Sequence, residues 1–235
     1  MLHEETVGEA TLALIRKLSA DSQLKDFVLV GGTALALQLG HRKSIDIDLL
    51  SAKVADPLSI GRHLESVYAA KEIAVLQNAV FSYIEGVKTD MVSLPYQWVR
   101  PLRETEGIRM ASLEDLAATK FNAIVESGRR LKDYVDIHCL LEHGNLDYWL
   151  GAYAERYLER NAGMARNVLL YHKEIKFDAE LHLLGRAFNW GEMAERFREA
   201  VAEPKRVFGM KQGPSIDLSD KQQDAGQHLG KGRRR

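Results

Sequence analysis

The pattern of apolar and polar residues predicts short strands in the first hundred residues. Phe27–Val30 is a continuous apolar run that contains two valines, which indicates a buried strand. Apolar and acidic residues then alternate strictly over Ile45–Leu49. Because side chains alternate between the two faces of a strand, this pattern turns Asp46 and Asp48 away from the core. The residues expected in the core are Ile45, Ile47 and Leu49.

A further strand and a hairpin are predicted after the alternating segment. Ile73–Gln77 has the composition of a strand, and Ala79–Leu94 has that of a hairpin that turns at Glu85 and Gly86. The second arm of this hairpin is Val87–Val92.

Asp90 is an acid inside the mostly apolar second arm of that hairpin. Lys88, Asp90 and Val92 share one face of the predicted strand. A carboxylate in such a place needs an ionic partner or a chemical role. A nearby Lys or Arg would be such an ionic partner. A site shared with Asp48 would give Asp90 a chemical role.

Apolar residues at spacings of three and four predict helices around this sheet. Asp56 and Pro57 suit the N-cap and the first position of one helix, and Ser112 with Asp115 forms a capping-box pattern at the start of another. From Pro101 onward the composition favours helix. The predicted helices are Glu4–Ser19, Ala34–Leu39, 57 to about 70, 113 to 127, Leu131–Glu142, a stretch after 147, Met164–Tyr171 and about Ala179–Ala200.

The order of these elements predicts an α+β fold. A small mixed β-sheet with flanking helices comes first, and a helical C-terminal region follows it. We expect a sheet-containing core over residues 1–100 and a helical domain over 101–203. Residues 204–235 are poor in aliphatic side chains and carry eight Lys or Arg against three Asp, which predicts a disordered basic tail.

Composition narrows the class of protein only moderately. The chain has 235 residues, 46% hydrophobic and 28% charged, which is ordinary for a globular protein. A net charge of −1 gives no overall attraction to nucleic acid or membrane. The single cysteine, Cys139, lies in an apolar run and is expected to be a buried thiol. No signal peptide and no stretch of 18 apolar residues is found, so we expect a cytoplasmic protein.

The glycine turn after the first strand is the first candidate for chemistry. Gly31 and Gly32 remove side chains from the turn, and Thr33 leads into the short helix that stops at Gly40. Backbone N–H groups at such a helix start form a site for an anion such as phosphate. Taken alone, a Gly-Gly pair is more often an ordinary turn.

The two aspartates of the alternating strand are the second candidate. Two carboxylates about 7 Å apart on one strand face repel each other unless a divalent cation lies near them. Oxygen ligands of this kind suit Mg²⁺ or Mn²⁺, with substrate phosphates completing the coordination. The alternative is that Asp46 and Asp48 are simply solvated charges.

Together these features resemble a known superfamily. A strand, Gly-Gly, a short helix, then Arg42, Ser44 and an Asp-x-Asp strand look like the signature of polymerase-β-like nucleotidyltransferases. Two segments of the chain resemble the AbiEii/AbiGii toxin family within this superfamily. They are GGTALALQLGHRKSIDIDLL and SLEDLAATKFNAIVESGRRLKDYVDIHCLL. Members of that family are the toxin halves of bacterial abortive-infection and toxin–antitoxin pairs. The resemblance covers about residues 25 to 145.

The resemblance implies a set of site residues. Asp90 would complete a metal site with Asp46 and Asp48. In the second block a lysine and an aspartate are regarded as catalytic, and they fall on Lys120 and Asp133. The implied nucleotide-binding residues are Gly31, Gly32, Thr33, Arg42, Ser44 and Lys120.

Each of these residues also has a plainer interpretation. Lys120 would neutralise charge on the triphosphate, or it is a surface lysine. Asp133 would orient that lysine or accept a proton, or it is a first-turn acid favoured by the helix dipole. Asp136 is the weaker candidate for the same role. Arg42 would bind phosphate, or it pairs with Asp46 or Asp48.

The implied reaction is transfer of a nucleoside monophosphate from an NTP to an acceptor hydroxyl, with Mg²⁺ or Mn²⁺ as cofactor and release of pyrophosphate. Some relatives act on tRNA 3′ ends, so tRNA is a candidate acceptor and an antitoxin a candidate partner. Two alternatives stay open: a non-catalytic nucleotide-binding module and an antibiotic-modifying nucleotidyltransferase.

Two further features are candidates for contact with RNA. Tyr96 and Trp98 either stack on a base or form a rim of core aromatics. The basic tail either holds RNA phosphates or is a solubilising end.

Overall fold

The computed structural model describes residues 1–95 and 97–209. Within these ranges a seven-stranded sheet is flanked by helices. The strands are β1 (Phe27–Val30), β2 (Ile47–Ser51), β3 (Lys71–Val75), β4 (Ala79–Ile84), β5 (Val87–Ser93), β6 (Arg103–Thr105) and β7 (Ile108–Met110). The helices are α1 (Glu9–Ala20), α2 (Gly31–Leu39), α3 (Pro57–Tyr68), α4 (Leu113–Glu126), α5 (Leu131–Leu140), α6 (Leu146–Arg156), α7 (Ala162–Val168) and α8 (Trp190–Ala202). The expected α+β fold class is confirmed.

The sheet is mixed, with strand order β3-β4-β5-β2-β1-β7-β6. Strand β2 runs antiparallel to β1 and parallel to β5, and β1 runs parallel to β7. The apolar run of β1 fills the middle of the sheet because Val28 and Leu29 are buried. Strands β2 and β5 are neighbours in this sheet, with Asp48 near the start of β2 and Asp90 in the middle of β5.

Helix α4 connects the sheet to the helical region. It packs against α2 on one side and against α5, α6 and α7 on the other. Its buried face carries Leu116, Phe121 and Ile124, the spacing that an amphipathic helix uses to enter a core. Lys120 lies between these apolar residues, so a charged group enters the interior at this point.

Local signals in the sequence predicted several boundaries correctly. Asp56 accepts a hydrogen bond from the backbone N–H of Leu58, and Ser112 accepts one from that of Asp115. The predicted hairpin turns at Glu85 and Gly86, with φ of 51° and 80°. Both caps and the turn depend on contacts between residues close in sequence, which a local pattern can specify.

Three parts of the helix prediction are wrong. After Pro101 the chain first forms the hairpin β6–β7, which turns at Glu106 and Gly107 and joins the sheet beside β1. The helix expected over Ala179–Ala200 begins only at Trp190, in α8. The helix near Met164 is shorter than expected and forms α7. In each case pairing or packing with distant residues overrides helical composition.

Strand β2 is shorter than the alternating pattern predicts. It begins at Ile47, which is buried, whereas Ile45 is 67% exposed and lies outside the strand. The expectation that Ile45 enters the core is therefore wrong. Asp46 lies just before the strand, so only Asp48 has its position fixed by strand pairing.

The end of the described chain packs against the helical region. Phe208 is buried, and its N–H donates to the carbonyl of Leu141, so the predicted disordered tail cannot begin as early as residue 204. Residues 210–235 and Tyr96 lie outside the described residues, and Trp98 packs against the core. Burial raises the pKa of the Cys139 thiol to about 12, as expected of a structural cysteine. None of the helices described here has the length and apolar character needed to cross a membrane.

Candidate active site

Asp48 and Asp90 lie directly beside each other in the sheet. In the parallel pairing of β2 with β5, Asp48 is the register partner of Asp90. Paired residues on neighbouring strands are separated by about 4.8 Å and present their side chains on the same face. The hairpin β4–β5 therefore brings the third predicted acid next to the second.

Asp90 has one carboxylate oxygen in use and one without a partner. Its Oδ2 accepts a hydrogen bond from Lys88, two residues away on the same strand face. Its Oδ1 is buried and has no hydrogen-bond partner among the described residues. Buried polar atoms are nearly always paired, so an orphaned carboxylate oxygen at this position points to a ligand.

The electrostatics of Asp48 also favour a cation. Burial raises the pKa of Asp48, the nearby carboxylates of Asp90 and Asp46 raise it further, and Lys120 works against them. Like charges brought together in a partly desolvated site disfavour ionisation. A divalent cation placed between these oxygens would reverse that effect and stabilise all the carboxylates.

The two glycines make room for the site. A Cβ atom on Gly31 would lie 2.2 Å from Oδ2 of Asp48, and one on Gly32 would lie 2.3 Å from a guanidinium nitrogen of Arg42. Gly31 also has φ of 70°, a conformation that other residues adopt only at a cost. The glycine turn therefore lies directly against Asp48.

Helix α2 begins at Gly31, so the start of this helix lies against Asp48. The N-cap residue, Val30, contributes no side-chain hydrogen bond to this helix start. The first N–H groups of a helix have no partner within the helix and carry its positive partial charge. Carboxylates that suit a cation and a helix start that suits phosphate therefore lie next to each other.

The Gly31→Ala variant should lose both stability and activity. An alanine adds the cost of a positive φ, about 1–2 kcal/mol, and the collision with Asp48 adds to it. Gly86→Ala is the matched control, because Gly86 has φ of 80° but no atom within 4 Å of its added Cβ. Urea unfolding should show a larger loss for Gly31→Ala. Equal losses in the two variants would show that Asp48 is not pressed against this turn.

Thr33 and Ser44 brace the approach to β2. The hydroxyl of Thr33 donates to the backbone carbonyl of Asp46 and lies 2.9 Å from the Ser44 hydroxyl. Thr33 is buried, so this hydrogen bond fixes the backbone of Asp46 from the protein interior. Direct nucleotide binding by Thr33 and Ser44 stays a prediction, and for Thr33 the backbone N–H is the available donor.

Arg42 does not pair with Asp46 or Asp48. Its guanidinium binds Asp136 through two hydrogen bonds, Nε to Oδ1 at 2.7 Å and a terminal nitrogen to Oδ2 at 3.0 Å. His41 lies beside it, with Nε2 at 2.8 Å from the same Oδ1. The alternative in which Arg42 pairs with the strand acids is therefore wrong, and Arg42 is a buried residue that binds α5 through Asp136.

Lys120 is also buried and paired. It is 6% exposed, and its Nζ lies 2.7 Å from Asp133 Oδ1 and 2.8 Å from Asp136 Oδ2. Burial works to lower the pKa of Lys120, but the carboxylates of Asp136 and Asp133 outweigh it and raise the pKa above its usual value. Lys120 thus stays charged, and the plainer interpretation of it as an exposed surface lysine is wrong.

Asp136 is the residue that sequence reasoning underrated. It is fully buried and contacts His41, Arg42 and Lys120. Burial works to raise its pKa, but Arg42, Lys120 and His41 hold the pKa well below its usual range. One signal was present in the sequence: Asp136 stands between Val135 and Ile137 in an apolar helical run, where an acid requires partners.

A segment that precedes α8 covers this ionic network. The N–H of Lys43 donates to the carbonyl of His182 at 2.8 Å, and that of Leu184 donates to the carbonyl of His41 at 3.0 Å. This crossing excludes water from Arg42 and Asp136. No local pattern in the sequence predicts it, because it joins residues about 140 positions apart.

The acids of the site suit Mg²⁺ without forming a complete cage. Across residues 1–95 and 97–209, no three or more His, Cys, Asp or Glu side chains form a ready metal cluster. Magnesium is commonly bound by one or two carboxylates together with substrate phosphates and water. Asp48 and the unpaired oxygen of Asp90 fit that arrangement, with Asp46 as the third acid close enough to affect the pKa of Asp48.

Comparison with known proteins identifies the family of the chain. A sequence model described as "Nucleotidyl transferase AbiEii toxin, Type IV TA system" matches residues 12–98 and 78–217. An uncharacterized protein of Aquifex aeolicus is 27% identical over 188 residues, which are 76% of this chain and 87% of the relative.

Solved structures show the same fold. The crystal structure of a putative nucleotidyltransferase from H. pylori has a TM-score of 0.51 and 20% identity, and the match covers 83% of this chain and 94% of that one. The crystal structure of JHP933 from Helicobacter pylori gives the same TM-score and identity, over 83% of this chain and 92% of the other.

Proposed function

The chain belongs to the AbiEii family of nucleotidyl transferase toxins, and we propose that it moves a nucleoside monophosphate from an NTP to an acceptor hydroxyl, with release of pyrophosphate. The family resemblance found in the sequence is thereby confirmed, and the chain is a nucleotidyltransferase. The metal, the roles of individual residues and the acceptor belong to the proposal.

One observation carries the proposed mechanism: Asp48 and Asp90 are register partners, and Asp90 keeps a buried oxygen without a partner. We assign Asp46, Asp48 and Asp90 as the ligands of Mg²⁺, with Mn²⁺ as a substitute. When bound, the ion supplies activation of the acceptor hydroxyl and charge neutralisation on the triphosphate.

The remaining parts of the site serve the nucleotide. The free N–H groups of Gly31, Gly32 and Thr33 at the start of α2 bind phosphate oxygens. Lys120 supplies a fixed positive charge near Asp48, where negative charge develops as the bond between the α- and β-phosphates breaks. Asp133 orients Lys120, since its Oδ1 already binds Nζ. Arg42 stabilises this arrangement through Asp136 and acts indirectly.

The acceptor and the biological role follow from the family. We propose that the acceptor is the 3′ end of a tRNA, whose modification would block aminoacylation and so explain toxicity. The protein would then act in the cytoplasm, and a cognate antitoxin would restrain it. These roles rest on membership of a family described as type IV toxin–antitoxin toxins.

A labelling assay tests the proposal. Wild-type protein is incubated with Mg²⁺, total tRNA and each of the four α-labelled NTPs in turn. We expect label on tRNA with one NTP, and an equal amount of pyrophosphate released. Nucleotide binding without pyrophosphate release would support a non-catalytic binding module instead. Label on an aminoglycoside but not on tRNA would support an antibiotic-modifying enzyme.

A further inference from the structure

A groove lined by positive charge opens at the start of helix α5. It has a volume of about 450 Å³, and the described ranges 127–132 and 176–179 form its walls. Four cations line it, Arg129, Arg130, Lys132 and Lys176, against one acid, Asp178. The backbone holds the two walls together, because the N–H of Lys176 donates to the carbonyl of Arg129 at 2.9 Å. We call this feature the α5 groove.

The positive charge of the groove contrasts with the rest of the protein. Residues 1–209 contain 26 Lys or Arg and 30 Asp or Glu, so this part of the chain is acidic overall. Four cations to one acid in a single concave surface is therefore a local concentration. A cleft lined by one sign of charge attracts and orients ligands of the other sign.

Two of these cations are not engaged within the protein. Neither Lys132 nor Lys176 has a hydrogen-bond or ion-pair partner for its ammonium group among the described residues. Arg129 approaches Glu174 only at 3.8 Å, and both side chains are exposed. The lysines are thus available to an outside anion without breaking an internal contact.

The groove adjoins the candidate active site. Arg130 at its edge has Nε 3.7 Å from Oδ2 of Asp133, and Asp133 Oδ1 binds Lys120. Lys120 also contacts Asp136, which binds Arg42, and a guanidinium nitrogen of Arg42 lies against Gly32, the neighbour of the Gly31 that touches Asp48. A continuous series of contacts therefore leads from the groove to the acids where transfer is proposed.

We propose that the α5 groove binds the phosphates of an RNA acceptor next to its 3′ end and so guides the terminal hydroxyl to Asp48 and Asp90. This inference rests on the proposed transfer reaction. A polynucleotide carries one negative charge per nucleotide, so the nucleotides before the acceptor end bring phosphates to a row of cations. A protein acceptor has no regular charge of that kind.

The test measures binding without turnover. Full-length Asp48→Asn protein is titrated with a fluorescent RNA hairpin that ends in a four-nucleotide single-stranded 3′ end. Adding Lys132→Gln and Lys176→Gln should weaken binding about 10-fold at moderate salt and reduce the slope of log K against log salt by about 1.5, the expected effect of two lost phosphate contacts. Thermal unfolding shows whether the variants remain folded. Lys176→Gln alone changes an exposed residue and should give about half the change in the salt slope.

The matched control removes the same charge elsewhere. Arg62 and Lys71 are exposed residues on α3 and on the edge strand β3, outside the groove, so Arg62→Gln with Lys71→Gln should change affinity less than twofold. Equal losses in the groove and control variants would overturn the inference, and so would stronger competition by a poly-glutamate peptide than by unlabelled RNA.

Failure of the groove and failure of the reaction can be told apart. If wild-type protein labels some acceptor while the Asp48→Asn protein does not bind the hairpin, the groove inference is wrong and the transfer reaction stands. If the hairpin binds through the groove but no NTP is ever cleaved, the transfer reaction is wrong and the groove remains an RNA-binding surface.

Discussion

Replacing Asp48 with asparagine should lower kcat for nucleotide transfer about 1,000-fold, in the upper range for the loss of one electrostatic partner in an active site. Asparagine keeps the shape of the side chain but removes the charge that a divalent cation requires. The protein should stay folded, because burial and the carboxylates of Asp90 and Asp46 already disfavour the ionised form of Asp48 and raise its pKa. Initial rates of pyrophosphate release at saturating NTP measure the effect.

Asp147→Asn is the control for this substitution. Asp147 is an exposed carboxylate in the first turn of α6, away from the sheet acids. Its replacement should leave kcat within a factor of two. If Asp48→Asn retained a tenth or more of the wild-type rate, Asp48 would not belong to the reaction centre.

Replacing Asp136 with alanine should destabilise the fold by about 3–5 kcal/mol, the usual result of leaving buried charges without their partner. Arg42 and Lys120 are both buried, and both depend on this carboxylate. The urea midpoint should fall accordingly. Asp136→Asn keeps the volume of the side chain and an acceptor oxygen, so it should destabilise the fold less than Asp136→Ala does. A midpoint equal to that of wild type in both variants would contradict the network described here.

The same network predicts how stability depends on pH. The pKa of Asp136 in the folded state is held well below its usual value by Arg42, Lys120 and His41. A carboxyl group with a depressed folded pKa contributes stability above its unfolded pKa and loses it as pH falls through the folded pKa. Wild-type protein should therefore lose stability below about pH 4, near the ordinary pKa of aspartate. The Asp136→Ala variant should show a smaller loss over that range.

The sequence predicted the parts of the site that depend on local pattern. The apolar run of β1, the glycine turn and the capping residues are each encoded within a few positions. Asp90 was predicted beside Asp48 because the family resemblance implies a third acid on a neighbouring strand, and the hairpin pattern puts Asp90 in such a strand. That reasoning was sound, since register pairing does place the two acids together.

The buried network could not be predicted in the same way. Arg42 and Asp136 are 94 positions apart. Their contact depends on how α5 packs against the segment that precedes β2. Sequence pattern alone favoured a nearby partner for Arg42 and an exposed role for Lys120. Burial of both residues follows from tertiary packing, which periodicity does not report.

The hairpin β6–β7 shows a signal that was present and passed over. Glu106 and Gly107 repeat the Glu-Gly pair of the first hairpin, and both pairs adopt positive φ. The three-residue strands are too short to show a period of two clearly. Both strands are stabilised by pairing within the sheet, and composition does not report such pairing. The composition of this region therefore predicted helix instead.

Binding of Mn²⁺ in the presence of a non-hydrolysable NTP tests the central claim most directly, because the claim is that Asp48 and Asp90 jointly hold a divalent cation with the nucleotide. Electron paramagnetic resonance counts the bound ion without need of an acceptor. We predict tight binding by wild type, and a loss of affinity of at least 10-fold in Asp90→Asn. Equal Mn²⁺ affinity in wild type and Asp90→Asn would contradict the account.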